Sequence, residues 1–468
     1  MTAQAAETES SDTVSTQKAV TSDAASLLFT EKHITSDLTL PTIGASGTTI
    51  SWKSSNPSVL SNEGKVTRPK KGAADEEVTL KGTVKMGDYA KARNFTFVVL
   101  AESEMGPTKE FALDQVELLD DYYLTAQNSD IEFLKKFDND RLLSRFRETA
   151  GLDTKKIAPY GGWEDGWLGG HSVGHYLTAI AQAVKATGNA DLKEKSKQLI
   201  EGLAECQNKL GTGFIFGAKI ETEGYVEKQF DILEGKTTGK TWVPWYNMHK
   251  MLTGLVDTYK YTGNKQALEV AKKLGDWIYN RVSKWDAGTQ GRVLGTEYGG
   301  MNDCLYELYL CTRDSKHLEA AHKFDQPNLY KTVAKGGKNC LNGKHANTTI
   351  PKFLGALKRY VVLEQTGELT KDDEAYLTNV EKFFDIAVTR HAYITGGVSV
   401  MEHFRKDNNQ DGTRTQTNCE SCCAHNMLKM AKELYKVTGD KKYADYYETT
   451  LRNSIMGAVK SESGAAAY

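Results

Sequence analysis

The chain has 468 residues, 39% hydrophobic and 26% charged, with 59 Lys and Arg against 61 Asp and Glu. A formal net charge of -2 with scattered basic residues excludes an electrostatic case for nucleic acid or an anionic membrane and favours a neutral, polar substrate. The length predicts two or three domains, and no apolar run is long enough to span a bilayer.

Residues 1–23 are rich in Ser, Thr, Ala and Glu and lack the apolar core of a signal peptide. They read as a flexible leader: either the stretch left after a signal is removed or the ragged start of a cytoplasmic protein. Residues 24–101 carry short runs of alternating Val, Ile, Thr and Phe, such as Glu77 to Val84 and Asn94 to Leu100, separated by Asn-Pro and Gly-Asp turn signals. That pattern predicts a small antiparallel β-sandwich. The stretch from Ser51 to Pro57, followed by Gly64 to Thr67, resembles the bacterial immunoglobulin-like modules found beside secreted carbohydrate enzymes. Such a module is either a spacer or a ligand binder.

From about residue 112 the period turns helical. Apolar helices are joined in pairs by Thr-Gly turns at Thr187-Gly188, Thr262-Gly263, Thr366-Gly367 and Thr438-Gly439, with Thr312-Arg313 as a variant. Gly ends one helix in the left-handed conformation, and the Asn or Asp that often follows caps the next. Uneven helical hairpins with irregular loops predict an (α/α) toroid with a sugar pocket at one end. An α-solenoid that binds protein is the alternative.

The loops between hairpins hold what helices usually exclude. The first runs from Gly161 to Tyr176 and carries Trp163, Trp167, His171 and His175. Indole faces stack on sugar C–H surfaces and imidazoles bond hydroxyls. His171 and His175 are spaced for one helical face, but the Glu that a helical zinc motif needs after the first His is absent. Further loops hold Trp242 to Lys250 with His249, Leu294 to Asn302, and Asn342 to Pro351 with His345. Singly, each His reads as a packed or capping residue; together they point to a shared pocket. The last loop places Glu402 upstream of a cluster of three cysteines, Cys419, Cys422 and Cys423, out of seven in the chain. Glu420 and Cys422 suit a soft metal such as zinc if further thiolates come from elsewhere. An odd cysteine count with irregular spacing argues against a disulfide framework.

In order and spacing these six motifs resemble the β-L-arabinofuranosidases of glycoside hydrolase families 127 and 146, over roughly residues 110–468. The resemblance implies an (α/α)6 barrel over residues 102–468 and an exo-acting, retaining hydrolase of terminal β-L-arabinofuranosyl groups on plant glycans, secreted or at the cell surface. It implies a cysteine thiolate nucleophile held on zinc by one glutamate and three cysteines, with a second glutamate as acid/base. Motif for motif, Glu402 would be the acid/base, Glu420 and Cys422 two zinc ligands, and His171, His249 and His345 partners of sugar hydroxyls. The family's nucleophile belongs to a Cys-Cys pair downstream of the last hairpin, and the sequence reaches Tyr468 before such a pair. The expectation is therefore a barrel incomplete at its C-terminus and, as written, inactive or nearly so. A glycan-binding protein without catalysis, and another (α/α)6 enzyme such as an unsaturated glucuronyl hydrolase or sugar epimerase, remain alternatives. The sequence fixes no oligomeric state.

Overall fold

A computed structural model describes residues 3–29, 33–34, 37–70, 73–99, 101, 108–218, 225–297 and 299–460. The chain divides into two compact units, Met1–Pro107 and Thr108–Tyr468.

In the first unit, helix α1 (Ala3–Ser26) precedes strands β1 (His33–Ile34), β2 (Thr49–Ser54), β3 (Glu76–Met86) and β4 (Tyr89–Val99). They form one sheet of order β1-β4-β3-β2, with β1 parallel to β4 and the other pairs antiparallel. The period-two pattern buries Val78, Leu80 and Val84 of β3 with Phe97 and Val99 of β4, while Lys81 and Lys85 face outward. Among the described residues there is one sheet rather than two, and α1 and the loops of residues 37–66 cover its apolar face. The expected flexible leader is corrected here. Val20 and Ala24 of α1, with Leu27 just beyond its end, fall on one stripe and pack with Ile50 and Val84. Asp23 then accepts hydrogen bonds from Ser46 and Thr48. A stripe of three small or medium apolar residues among Ser and Thr gives too weak a periodicity to read as a helix.

The second unit is helical: α2 (Asp121–Lys135), α3 (Asn139–Ala150), α4 (His171–Thr187), α5 (Ala190–Leu210), α6 (Lys228–Leu233), α7 (Pro244–Thr262), α8 (Lys265–Val282), α9 (Ala287–Thr296), α10 (Met301–Thr312), α11 (Ser315–Lys323), α12 (Pro327–Ala334), α13 (Ala346–Thr366), α14 (Glu374–His391), α15 (Ser421–Thr438) and α16 (Lys441–Thr450). Helices α4, α7, α10, α13 and α15 surround a central cavity of about 690 Å³. Helices α5, α8, α11, α14 and α16 back them from outside, which is the double ring of an (α/α) barrel. The Thr-Gly turns end α4, α7, α13 and α15 with left-handed glycines at φ between 69° and 74°. Arg313 takes the same conformation after α10 at φ 57°. Asn189, Asn264, Asp314 and Asp440 cap the outer helices that follow.

Helices α4 and α7 lie close because Gly174 faces the Lys250 carbonyl, where a Cβ would overlap it. Trp245 is fully buried among Phe230, Trp285 and Phe324, so this member of the Trp242–Trp245 loop belongs to the core rather than to a sugar-facing surface. Ion pairs run through the cavity wall among apolar residues such as Leu310, Leu354 and Val361. Glu307 of α10 lies 2.6 Å from Lys260 of α7 and 2.6 Å from Lys358 of α13. On α15, Glu433 pairs with Lys436 at 3.2 Å, and Lys429 reaches Asp303 of α10 at 3.2 Å.

Candidate active site

Glu402 sits at the tip of a two-residue turn. Val400 and His403 exchange backbone hydrogen bonds of 2.9 and 3.0 Å, and Met401 and Glu402 between them both take positive φ, 48° and 60°, as in a type I′ turn. Such turns favour Asn-Gly, and here two ordinary residues are forced into them. Flanking contacts hold the conformation. Met401 N–H donates to Thr417 O at 2.9 Å, Cys419 N–H to Ser399 O at 3.1 Å, and Ala346 N–H to Glu402 O at 2.6 Å. Ser399 and Cys419 are left-handed too, at φ 107° and 60°. Strained backbone thus concentrates where the acidic and thiol side chains meet.

The turn carries the Glu402 carboxylate to 3.0 Å from His345 Nε2 at the start of α13. The His345 ring also packs against His403, tilted by 49° with 4.5 Å between centroids. Burial, then His403, pushes His345 down to about 4, so its imidazole is neutral at neutral pH. Burial first and Glu420 second push the Glu402 carboxyl above its ordinary 4.5. Glu420 is buried at the N-cap of α15 and accepts from Cys422 N–H and Cys423 N–H, both at 3.0 Å. Burial, Glu420 and, more weakly, Glu402 push the Cys422 thiol up to about 12, while Lys250 opposes them. Glu402, Glu420 and Cys422 therefore act on one another in one place.

His249 and Lys250 of α7 line the cavity beside Cys422. Gly300, at φ 121°, makes room for the His249 ring, which a Cβ there would overlap. Burial and the charge of Lys250 keep His249 well below its ordinary value and hence neutral. Tyr246 links this wall to His171, with ring centroids 6.2 Å from His249 and 6.1 Å from His171. His171 is anchored by Glu164, whose carboxylate is 2.8 Å from Nδ1 and also accepts from Gly170 and Ser172 N–H. Burial alone would raise Glu164, but these bonds prevail and hold it low. Of the residues singled out from the sequence, Glu402 contacts His345 and Glu420 contacts Cys422, and the two pairs are close enough to influence each other's charge. His249 stands on the adjoining wall and His171 at the margin.

Burial and its carboxylate neighbours favour the neutral thiol of Cys422, and a thiolate there calls for a cation. Glu420 and Cys422 offer one carboxylate and one sulfur, but no third donor joins them among the described residues. The one group of three close donors is Asp276, Asp314 and His317, on outer elements. The residues present therefore do not make up a complete zinc site.

A family model described as the catalytic domain of β-L-arabinofuranosidase, GH127, matches residues 115–468. The chain belongs to this family. A second family model, an atrophied bacterial Ig domain, matches residues 16–102, and it accounts for a sheet whose second layer is reduced to a helix and loops. Among solved structures, a family 127 beta-arabinofuranosidase is 19% identical with a TM-score of 0.57, covering 78% of this chain and 57% of its own. A GH127 beta-L-arabinofuranosidase from Geobacillus stearothermophilus T6 is 17% identical with a TM-score of 0.51, covering 76% of this chain and 56% of its own. At these identities both share the fold, and the chain spans a little over half their length. A search of curated proteins found no match. No helix among the described residues is long and apolar enough to cross a membrane.

Sequence reasoning did not single out Glu164, Lys250 and His403, which the structure places against His171, beside Cys422 and against His345. All three stand in the motifs beside residues it chose. The signal for Glu164 was a carboxylate seven residues before His171, a spacing that only a looped backbone closes.

Proposed function

We propose that this chain carries the sugar-binding and proton-transfer machinery of a glycoside hydrolase that removes terminal β-L-arabinofuranosyl groups from plant glycans, secreted or displayed at the cell surface. The observation that carries the reading is the Glu402 carboxyl, raised by burial and by Glu420, beside a neutral His345 and within electrostatic reach of Cys422. A carboxylic acid so held keeps its proton toward neutral pH, as a general acid must. Glu402 gives that proton to the departing glycosidic oxygen as the bond to the anomeric carbon breaks. The resulting carboxylate then takes a proton from the water that completes hydrolysis, so the residue returns to its starting state. His345 orients the carboxyl through its 3.0 Å contact, and the rings of His249, which is neutral, and His171 face sugar hydroxyls. Retention through a zinc-held cysteine rests on the family resemblance. Glu420 and Cys422 would supply two of that ion's donors, and no step is derived through it.

The test is hydrolysis of aryl and alkyl β-L-arabinofuranosides by the full-length gene product and its Glu402→Gln variant. The variant is expected to lose about 10²–10⁴-fold in rate on the alkyl glycoside and much less on an aryl glycoside whose leaving group needs no proton. The alkaline limb of the pH profile, above the ordinary carboxyl value, should vanish with it. Equal losses on both substrates would sink the assignment of Glu402.

A further inference from the structure

The outer ring holds a second cluster of metal-ligand types, remote from the chemistry just described. Asp276 of α8, Asp314 at the cap of α11 and His317 of α11 bring one ligand atom each within 4.8 Å of one another. His317 is 1% exposed, and its Nε2 has no hydrogen-bond partner. The Thr312 hydroxyl lies 2.9 Å from Leu308 O and 2.8 Å from His317 Nδ1, so the far nitrogen of the ring is engaged. Nε2 faces Asp276 Oδ1, 3.9 Å off, itself a buried oxygen without a hydrogen bond. The Lys272 carbonyl approaches the ring too, but no hydrogen-bond geometry joins it to Nε2.

Two carboxylates set this close to each other repel unless positive charge lies between them. Lys316 Nζ, 3.7 Å from Asp276 and half exposed, supplies part of that charge from the rim without bonding Nε2. An imidazole fixed by a hydrogen bond on its far nitrogen is the arrangement in which histidine ligates metals. Gly275 also clears the space, since a Cβ there would stand 2.6 Å from Nε2. We propose that Asp276, Asp314 and His317 bind a first-row divalent cation, zinc being the test ion, which ties α8 to the turn between α10 and α11. One nitrogen and two carboxylate oxygens suit such an ion and leave coordination positions for water.

The experiment uses the full chain, stripped with a chelator and titrated with zinc by calorimetry, with cobalt as a spectroscopic probe. It is run in a Cys422→Ser background so that the candidate active site contributes no thiolate. One equivalent of zinc should bind, and cobalt should show d–d bands without sulfur charge transfer. Asp276→Asn and Asp314→Asn, the latter keeping the helix cap, should each weaken binding about tenfold or more and abolish the rise in Tm that zinc produces. Failure of Cys422→Ser protein to bind zinc, or binding undiminished in both Asn variants with unchanged circular dichroism, would overturn the proposal.

Discussion

The strain at Glu402 is local and has an assignable cause. Met401 and Glu402 hold the two positive-φ positions of a tight turn, and Met401 is 63% exposed, so its side chain contributes little burial. A left-handed L-residue costs on the order of 1 kcal/mol, and Asn bears that conformation better than Met. Met401→Asn should raise stability by about 0.5–1 kcal/mol in urea unfolding and leave substrate affinity intact. Lower stability would mean that packing rather than hydrogen bonding fixes the turn. At this scale the sequence was partly legible. Glu420, Cys422 and His345 could be picked out because they stand near Gly or Cys where a helix begins, and Glu402 because it lies in the loop just upstream of the cysteine cluster. Asp276 and His317 could not, because nothing in a spacing of dozens of residues indicates that α8 and α11 lie side by side.

At the scale of elements, the hairpins were readable from their turns. Four Thr-Gly junctions ended helices as expected, and the fifth, Thr312-Arg313, adopts the same left-handed geometry with a side chain that disfavours it. Arg313→Gly should stabilise the barrel by roughly 0.5–1 kcal/mol, net of the greater freedom glycine gives the unfolded chain and of the loose contact between Arg313 and the Tyr309 ring. A thermal melt checks it, and an unchanged or lower Tm would show that Arg313 earns its place through Tyr309. Helix α1 was missed at the same scale, since its few apolar residues make sense only against Ile50 and Val84.

For the whole molecule, the ring of helices followed from the succession of hairpins, but the ion pairs in its cavity wall did not. A charged residue every few positions along a helix reads as a solvated face, and only the arrangement of the inner helices around the cavity turns that face inward. Glu307 is the hub. Burial would raise its carboxyl, but Lys358 and Lys260 hold it far below the ordinary 4.5. A carboxyl lowered by folding adds stability that is complete above its unfolded value and is lost as pH falls below about 4.5. Glu307→Gln leaves two enclosed ammonium groups without their carboxylate and should cost about 3–5 kcal/mol at pH 7, with the difference from wild type narrowing in acid. Chemical denaturation across pH decides it, and a constant difference down to pH 3 would show that the cost is steric.

The ladder from Lys260 through Glu307 and Lys358 to Glu433 also has a geometric meaning. Its members reach across from separate inner helices, so their lengths act as spokes that set how far apart the staves of the barrel stand. Shortening any one of them would be felt on both sides, because each strut has its partner on a neighbouring stave.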